Sequence, residues 1–412
     1  MLPARSLADR LAAVRGRPAP VVTRRAADDR VARLARWFDA RTEVCEHGRA
    51  LVVERRVPLP DAVLGTLRSR SRAGYFDTET TGLSTGSGTV IFLAGVATLE
   101  GDRMLVRQFL LPDYPYERAL LRSLMAALGA VARVVTYNGR AFDLPMLTTR
   151  LTVNGLFGEH ARLPALHDDL LPDARRLFRR ALGGARLADI EAGVLGVRRA
   201  SDCPGSEVPA RYFNYLGGGS PDVLGEVLDH NLQDVVSLAL LEAELCRLRA
   251  GGWREADVLD PHGMALDLLR AGRTDDAAEL LEEAVGASDG RGDAAEGRRL
   301  RRLAGRLLLA AGEVDRAEAM WRAATRRASV EAAAAWVEVA RIRERRRGDL
   351  RGAMDAAAAA SRVLDLAFAL GRGGSIDELA RMRVVVEGRL RRLRRWVAAS
   401  ERRAGADGRR VA

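Results

Sequence analysis

The stretch "YFDTETTGL", residues 75–83, ends an apolar run with two carboxylates one residue apart, Asp77 and Glu79. In a strand, side chains at i and i+2 leave on the same face. Both acids then enter one small volume, where each raises the other's pKa unless a cation lies between them. A divalent metal meets that need, provided the rest of the chain supplies further ligands.

Two later stretches do so. "YNGRAFDLPML" (137–147) places Asp143 just past a strand end and a tight turn, at the start of a helix. "DHNLQDVVSLALL" (229–241) places Asp234 on a helix with His230 one turn earlier on the same face. Asp77, Glu79, Asp143 and Asp234, with His230 beside them, form a hard oxygen-rich set that suits Mg²⁺ or Mn²⁺ rather than zinc. "LHDDLL" (166–171) offers His167, Asp168 and Asp169, and here capping of a helix by one Asp is the expectation.

The 412 residues suffice for two or three domains. The 66 basic residues are all Arg and outnumber the 55 acidic ones, so the net charge is +11. A positive surplus suits a polyanion such as nucleic acid, and equally a generic basic surface. Cys45, Cys203 and Cys246 are few and scattered, which argues against a disulfide framework or a zinc ribbon and for a reducing compartment. The longest apolar stretch, near 89–99, falls far short of the ~20 residues that span a bilayer. The N-terminus lacks the apolar core of a secretory signal. A cytoplasmic protein that avoids membranes is expected.

Residues 1–44 read as a helical, partly disordered extension. From 45 the pattern gives a strand in "CEHGRALVVERR", the strand ending in the acids, a Gly/Ser turn at 84–88, and two strands joined at Glu100–Asp102. A helix (116–129), a buried strand (133–137) and a second helix follow. Three antiparallel strands, a crossover strand and flanking helices make the pattern of an α/β ribonuclease-H-like core over 45–250.

The tail, 257–400, is Ala-rich and all helical. Gly272, Gly312 and Gly348 are followed at identical offsets by Ala277/Leu281/Ala284, Ala317/Trp321/Ala324 and Ala353/Ala357/Ala360. Each Gly ends one helix, and the small residues admit the next. The spacing approaches that of tetratricopeptide repeats, with "GASDGRGDAAEG" (286–297) as a loop insertion. A last helix opens on a Ser375/Glu378 capping box, and 401–412 reads as a disordered tail. The Arg runs at 341–351 and 389–395 read as solvated faces, with nucleic-acid grooves as the close alternative.

"FDTETTG", "YNGRAFDLPML" and the late helical Asp resemble the three motifs of the DEDD exonucleases. Over roughly 45–250 the likeness extends to bacterial ribonuclease-H-like proteins of the YprB type, through "HGRALVVERR", "FDTETTGLSTGSGTVIFLAG", "RLADIEAGVLGVRR", "PARYFNYL" and "HNLQDVVSLALL". Members often carry tetratricopeptide-like repeats. The resemblance implies a phosphodiester hydrolase, a 3′-to-5′ exonuclease on DNA or RNA, with two Mg²⁺ or Mn²⁺ ions. By motif position Asp77 would bridge both ions, Glu79 and Asp234 would complete one site, and Asp143 would support the other. His230 would orient or deprotonate the attacking water. It stands four residues before Asp234, the register of tyrosine-type members, whereas histidine-type members place it five before. Thr78, through its backbone, and Asn138 are candidate substrate contacts. The alternative is a non-catalytic adaptor that grips nucleic acid while its helical repeats recruit a protein partner.

Overall fold

The computed structural model describes residues 24–70, 72–82, 86–199, 203–291, 293–326, 328–371 and 375–407. Residues 1–23, part of the Gly/Ser turn at 84–88, and 408–412 lie outside them. The chain divides into two units, to Gly252 and from Trp253 onward.

In the first unit, helix α1 (Arg24–Trp37) leads into strands β1 (Arg41–Cys45) and β2 (Gly48–Pro58), helix α2 (Asp61–Arg68) and strand β3 (Ala73–Thr80). Strands β4 (Ile91–Glu100) and β5 (Arg103–Leu110) follow, then α3 (Glu117–Leu128), β6 (Arg133–Thr136), α4 (Asp143–Val153), β7 (Leu166–Asp169) and α5 (Leu171–Leu177). Helices α6 (Val208–Leu216) and α7 (Gly225–Ala250) close the unit. The seven strands lie in the order β1-β2-β5-β4-β3-β6-β7. The β3-β4-β5 meander is antiparallel, with Gly101 at φ +64° in its tight turn. β6 joins β3 in parallel after the crossover through α3, and β7 joins β6 in parallel.

Three features depart from the expectations. The first is the start of the folded unit. Val31 and Leu34 of α1 are buried in the core, and Arg30 of α1 donates to Asp113 at 2.7 Å and to the Leu216 carbonyl at 3.1 Å. With β1 also paired to β2, residues 24–44 are part of this unit rather than an extension to it. The second is β7. Its "LHDD" carries two acids, which strands disfavour. Here Asp168 is neutralised by Arg133 at 2.9 Å, and Asp169 accepts from three backbone N–H groups. The third is the tail at 401–412, which is helical as far as Asp407.

The core joins the inner sheet face to α3, α4, α6 and the start of α7. Phe92 and Tyr212 stack at 4.2 Å between ring centroids, and the Tyr212 hydroxyl donates to the Leu111 carbonyl, so α6 is held on β4.

α7 is tied to the sheet at two levels. Along its inner face Asn231, Val235, Leu238, Glu242 and Leu245 recur at helical spacing and are buried. At the far level the Glu242 carboxylate accepts from the Tyr75 hydroxyl at 2.7 Å and from Arg133 at 2.6 and 2.9 Å, and it pairs with Arg70 at 2.5 Å. At the near level Asn231 reaches the end of β3, as described below.

The second unit is helical throughout its described residues. Helices α8 (Pro261–Arg270), α9 (Thr274–Arg291), α10 (Ala294–Ala310), α11 (Val314–Ala323), α12 (Val330–Ile342), α13 (Leu350–Ala369) and α14 (Ile376–Asp407) pack against their chain neighbours. Gly272, Gly312 and Gly348 have φ of +74°, +86° and +67°, the left-handed conformation that ends a helix. Ala277, Ala317 and Ala353 are fully buried after them, where a larger side chain would force the helices apart. The expected loop at 286–297 is instead mostly helix. α9 runs on to Arg291 because Val285 and Ser288 are buried, and Asp293 then caps α10 through the Glu296 N–H. Ser375 and Glu378 exchange the two hydrogen bonds of the capping box. None of the described helices is long and apolar enough to cross a membrane.

Candidate metal and catalytic centre

Asp77 and Glu79 leave β3 on one face at the end of the strand, where the β3–β4 register shifts between Glu79 and Thr80. Such an irregularity re-aims side chains at a sheet edge. The intervening Thr78 is buried and points elsewhere. Both its N–H, at 3.1 Å, and its hydroxyl, at 2.6 Å, donate to Oδ1 of Asp143, the first residue of α4. The expected substrate contact is therefore a clamp that brings Asp143 to the strand end.

α7 supplies the remaining groups. Nε2 of His230 lies 3.7 Å from Oε1 of Glu79 and 3.5 Å from Oδ2 of Asp234. Glu79, His230 and Asp234 offer one ligand atom each, all within 4.8 Å of one another. All four acids have pKa values raised above the ordinary carboxylate range. Burial is the first cause for each. The nearby charges of Asp234, Asp143 and Glu79 then raise Asp77 further. Burial and the charges of Asp234 and Asp143 push Glu79 up to about 8, with Arg199 acting against them. Burial holds Asp143 at about 6 even though Thr78 stabilises its anion. Burial raises Asp234 against the pull of His230 and Arg199. Four acids thus crowd one pocket with Arg199 as the guanidinium that acts against their charge, and the donor set fits divalent cations bound by hard oxygens.

Three side chains outside the expected set, those of Asn231, Gln108 and Arg199, hold this pocket in shape. Asn231, fully buried, donates through Nδ2 to Oδ2 of Asp77 at 2.9 Å. Its own Oδ1 accepts from Gln108 at 3.1 Å, and Gln108 also donates to the Leu228 carbonyl. Gly95 on β4 makes room for this amide, since a Cβ there would stand 2.3 Å from Oδ1 of Asn231. A buried Asn on the apolar face of a helix needs a partner, which is the one signal the sequence offered. Gly95→Ala should displace Asn231 and α7, lowering stability by about 1–3 kcal/mol, the usual range for overpacking. Thermal melting beside Gly158→Ala checks this, since nothing lies within 4 Å of a Cβ at Gly158 and its φ of −77° suits any residue. An unchanged melting temperature for Gly95→Ala would show that the helix yields freely.

The third group is Arg199. It donates to Asp234 at 2.5 Å and to Nδ1 of His230 at 3.0 Å, and its other edge forms a two-point pair with the buried Glu191 at 2.6 and 3.0 Å. Ser237 of α7 fixes Glu191 in turn, at 2.6 Å. Burial opposes the Arg199 charge, but the hydrogen bonds to Glu191 and the charge of Asp234 outweigh it and raise its pKa. Guanidinium nitrogens only donate. Nδ1 of His230 must therefore be the acceptor, and the ring hydrogen is on Nε2, facing Glu79 and Asp234.

Asn138 adopts φ +67° in the turn after β6, and its N–H donates to Asp169 at 2.8 Å. Asp169 also accepts from the N–H groups of Arg140 and Leu171. Asp169 therefore receives the first N–H of α5 without being its N-cap, which is Leu170, and it shapes the turn before Asp143 as well. The Asn138 side chain is exposed, with no described hydrogen bond to the carboxylates.

Residues 74–246 match the model of the RNase_H superfamily. The protein YprB of Bacillus subtilis (strain 168), itself described as uncharacterized, is 38% identical over 216 residues, which are 51% of this chain and 51% of YprB. The chain thus spans about half the length of the curated relative it matches. A family B DNA polymerase from the hyperthermophilic archaeon Pyrobaculum calidifontis aligns at 16% identity and a TM-score of 0.36, over 66% of this chain and 38% of the polymerase, a likeness too low to bear on the fold. The mixed seven-stranded sheet with flanking helices fits a ribonuclease-H-like fold. Over residues 74–246 the chain is therefore ribonuclease-H-like, and over about half its length it is similar to YprB.

Proposed function

We propose that the first unit is a metal-dependent nuclease that hydrolyses phosphodiester bonds, and specifically a DEDD-type 3′-to-5′ exonuclease. The observation that carries this reading is the gathering of Asp77, Glu79, Asp143 and Asp234 into one electronegative pocket beside His230, within a ribonuclease-H-like stretch. Two divalent ions held by these carboxylates would lower the pKa of the attacking water and offset charge on the leaving 3′ oxygen. The chain's own contribution is shape. Asn231 fixes Asp77, Thr78 fixes Asp143, and Arg199 fixes both Asp234 and His230. With its hydrogen on Nε2, His230 orients an oxygen by donating to it rather than by removing a proton.

In the second unit, the repeated Gly-ended helices are the basis for a tetratricopeptide-like reading. The nuclease reading is tested with end-labelled single- and double-stranded DNA and RNA in Mg²⁺ or Mn²⁺. Stepwise release of mononucleotides from 3′ ends, abolished by a chelator, is expected. Failure to cut any of the four substrates with either metal removes the assignment.

A further inference from the structure

The second unit contains a groove of about 460 Å³ between α10 and α12, into which Arg302, Arg306, Arg341, Arg345 and Arg346 project. Leu309, Trp321 and Ile342 also line it, the last two largely buried, and Gly305 leaves space for the indole of Trp321. Glu338 is the one carboxylate that lines it, and Glu338 is paired with Arg341 at 3.0 Å. The other four guanidinium groups have no carboxylate partner among the described residues.

Their neighbours in the chain behave differently. In "RERRRG" (343–348), Arg343 pairs with Glu318 at 2.7 Å, Arg347 pairs with Asp315 and Glu318, and Glu344 takes Arg389 and Arg392 at 2.7 and 2.8 Å. Only Arg345 and Arg346 of the run are left for the groove. They lie where the end of α12 widens into a π turn, Arg343–Arg347, before Gly348. Such turns re-aim side chains and recur at functional sites. On the opposite wall Arg302 and Arg306 stand one helical turn apart, about 6 Å along the axis. An arginine run that reads as a solvated face or a nucleic-acid groove is therefore sorted, part neutralised by carboxylates and part gathered with arginines from another helix.

We infer that this groove binds the phosphate backbone of single-stranded nucleic acid. Guanidinium forks match phosphate oxygens in pairs. A positively charged groove that tracks the backbone is part of the means by which single strands are held without sequence preference. The inference deepens the nuclease reading, from which it takes nucleic acid as the polyanion.

The test uses the full chain carrying Asp77→Asn, in EDTA, so that cleavage plays no part. Binding of a fluorescent single-stranded oligonucleotide is followed by anisotropy across a range of NaCl concentrations. Changing Arg302, Arg306, Arg345 and Arg346 to Ala should reduce the slope of log K against log[salt] by about 3, since each phosphate contact on a single strand contributes about 0.7. A control with the same change in net charge replaces Arg254, Arg316, Arg351 and Arg383, each already paired with a carboxylate. It should lose much less. An unchanged slope in the groove variant, or an equal loss in the control, overturns the inference. So does displacement of the oligonucleotide by polyglutamate as readily as by unlabelled nucleic acid, which would mark a site for acidic peptides. If the unaltered chain cleaves nothing yet the groove variant loses its slope, the nuclease reading falls and the groove stands.

Discussion

Asp77→Asn should reduce cleavage by on the order of 10³-fold or more, because metal-ion catalysis supplies several kcal/mol and each 1.36 kcal/mol is a factor of ten in rate. Asp77 is the acid whose pKa is raised by all three of the other carboxylates, which puts it at the electrostatic centre of the group. The substitution keeps the shape, since the new amide oxygen can still accept from Asn231. It also removes one of four crowded charges, so the metal-free variant should melt higher than the parent at pH 8. Both readouts come from the same preparation, by product mapping and by circular dichroism in EDTA. A variant that cleaves at the parent's rate with metal present would sink the assignment of this pocket as the active site.

The metal-free protein should lose stability as pH rises from about 5 to 8, and Mg²⁺ or Mn²⁺ should restore it. The sign follows from the direction of the shifts. Burial and mutual repulsion raise Asp143 from 3.8 to about 6 and Glu79 from 4.5 to about 8, and Asp77 and Asp234 are raised as well. Between the unfolded and folded values the native state holds more protons than the unfolded chain. Stability then falls with rising pH, by at most about 1.4 kcal/mol per pH unit for each group. The loss is complete once pH passes the folded values. Carboxylates with lowered pKa, such as Asp173, which keeps its charge beside Arg249 and Arg176 despite burial, act in the opposite sense but below the ordinary carboxylate range. Melting temperatures in EDTA across this window, for the parent and for Glu79→Gln, measure the effect. A flat profile for the parent, or an equally steep one for Glu79→Gln, would mean that these acids are not crowded in solution.

What could be read in the sequence was local. The i, i+2 acids announced a strand edge because the period of a strand is fixed. Asp143 was legible because a turn signal precedes it and a helix follows. The left-handed glycines of the second unit were legible because few other residues adopt that conformation. The supports of the site were not. Gln108 meets Asn231 across 123 positions of chain, and Arg199 meets Asp234 across 35 from a stretch outside the regular elements. No periodicity marks such partners, since their role is set by tertiary contact alone. The same holds for β7, whose acids contradict strand propensity and are tolerated because Arg133 and the turn at Asn138–Arg140 receive them.

The two ties of α7 bear on how the site fails. Glu242 joins the helix to Tyr75 at the start of β3 and to Arg133 of β6, and Asn231 joins it to Asp77 near the end of β3. Asp77, Glu79 and Asp234 therefore lie on elements that cannot open singly. Releasing either element strands a buried charge or a buried amide, and each such loss costs several times thermal energy. Local opening is confined to segments with fewer such ties, and these three acids are not on them. The carboxylates should keep their mutual geometry until the whole unit unfolds, so that exchange of their amide hydrogens with solvent requires the full unfolding free energy rather than a fraction of it.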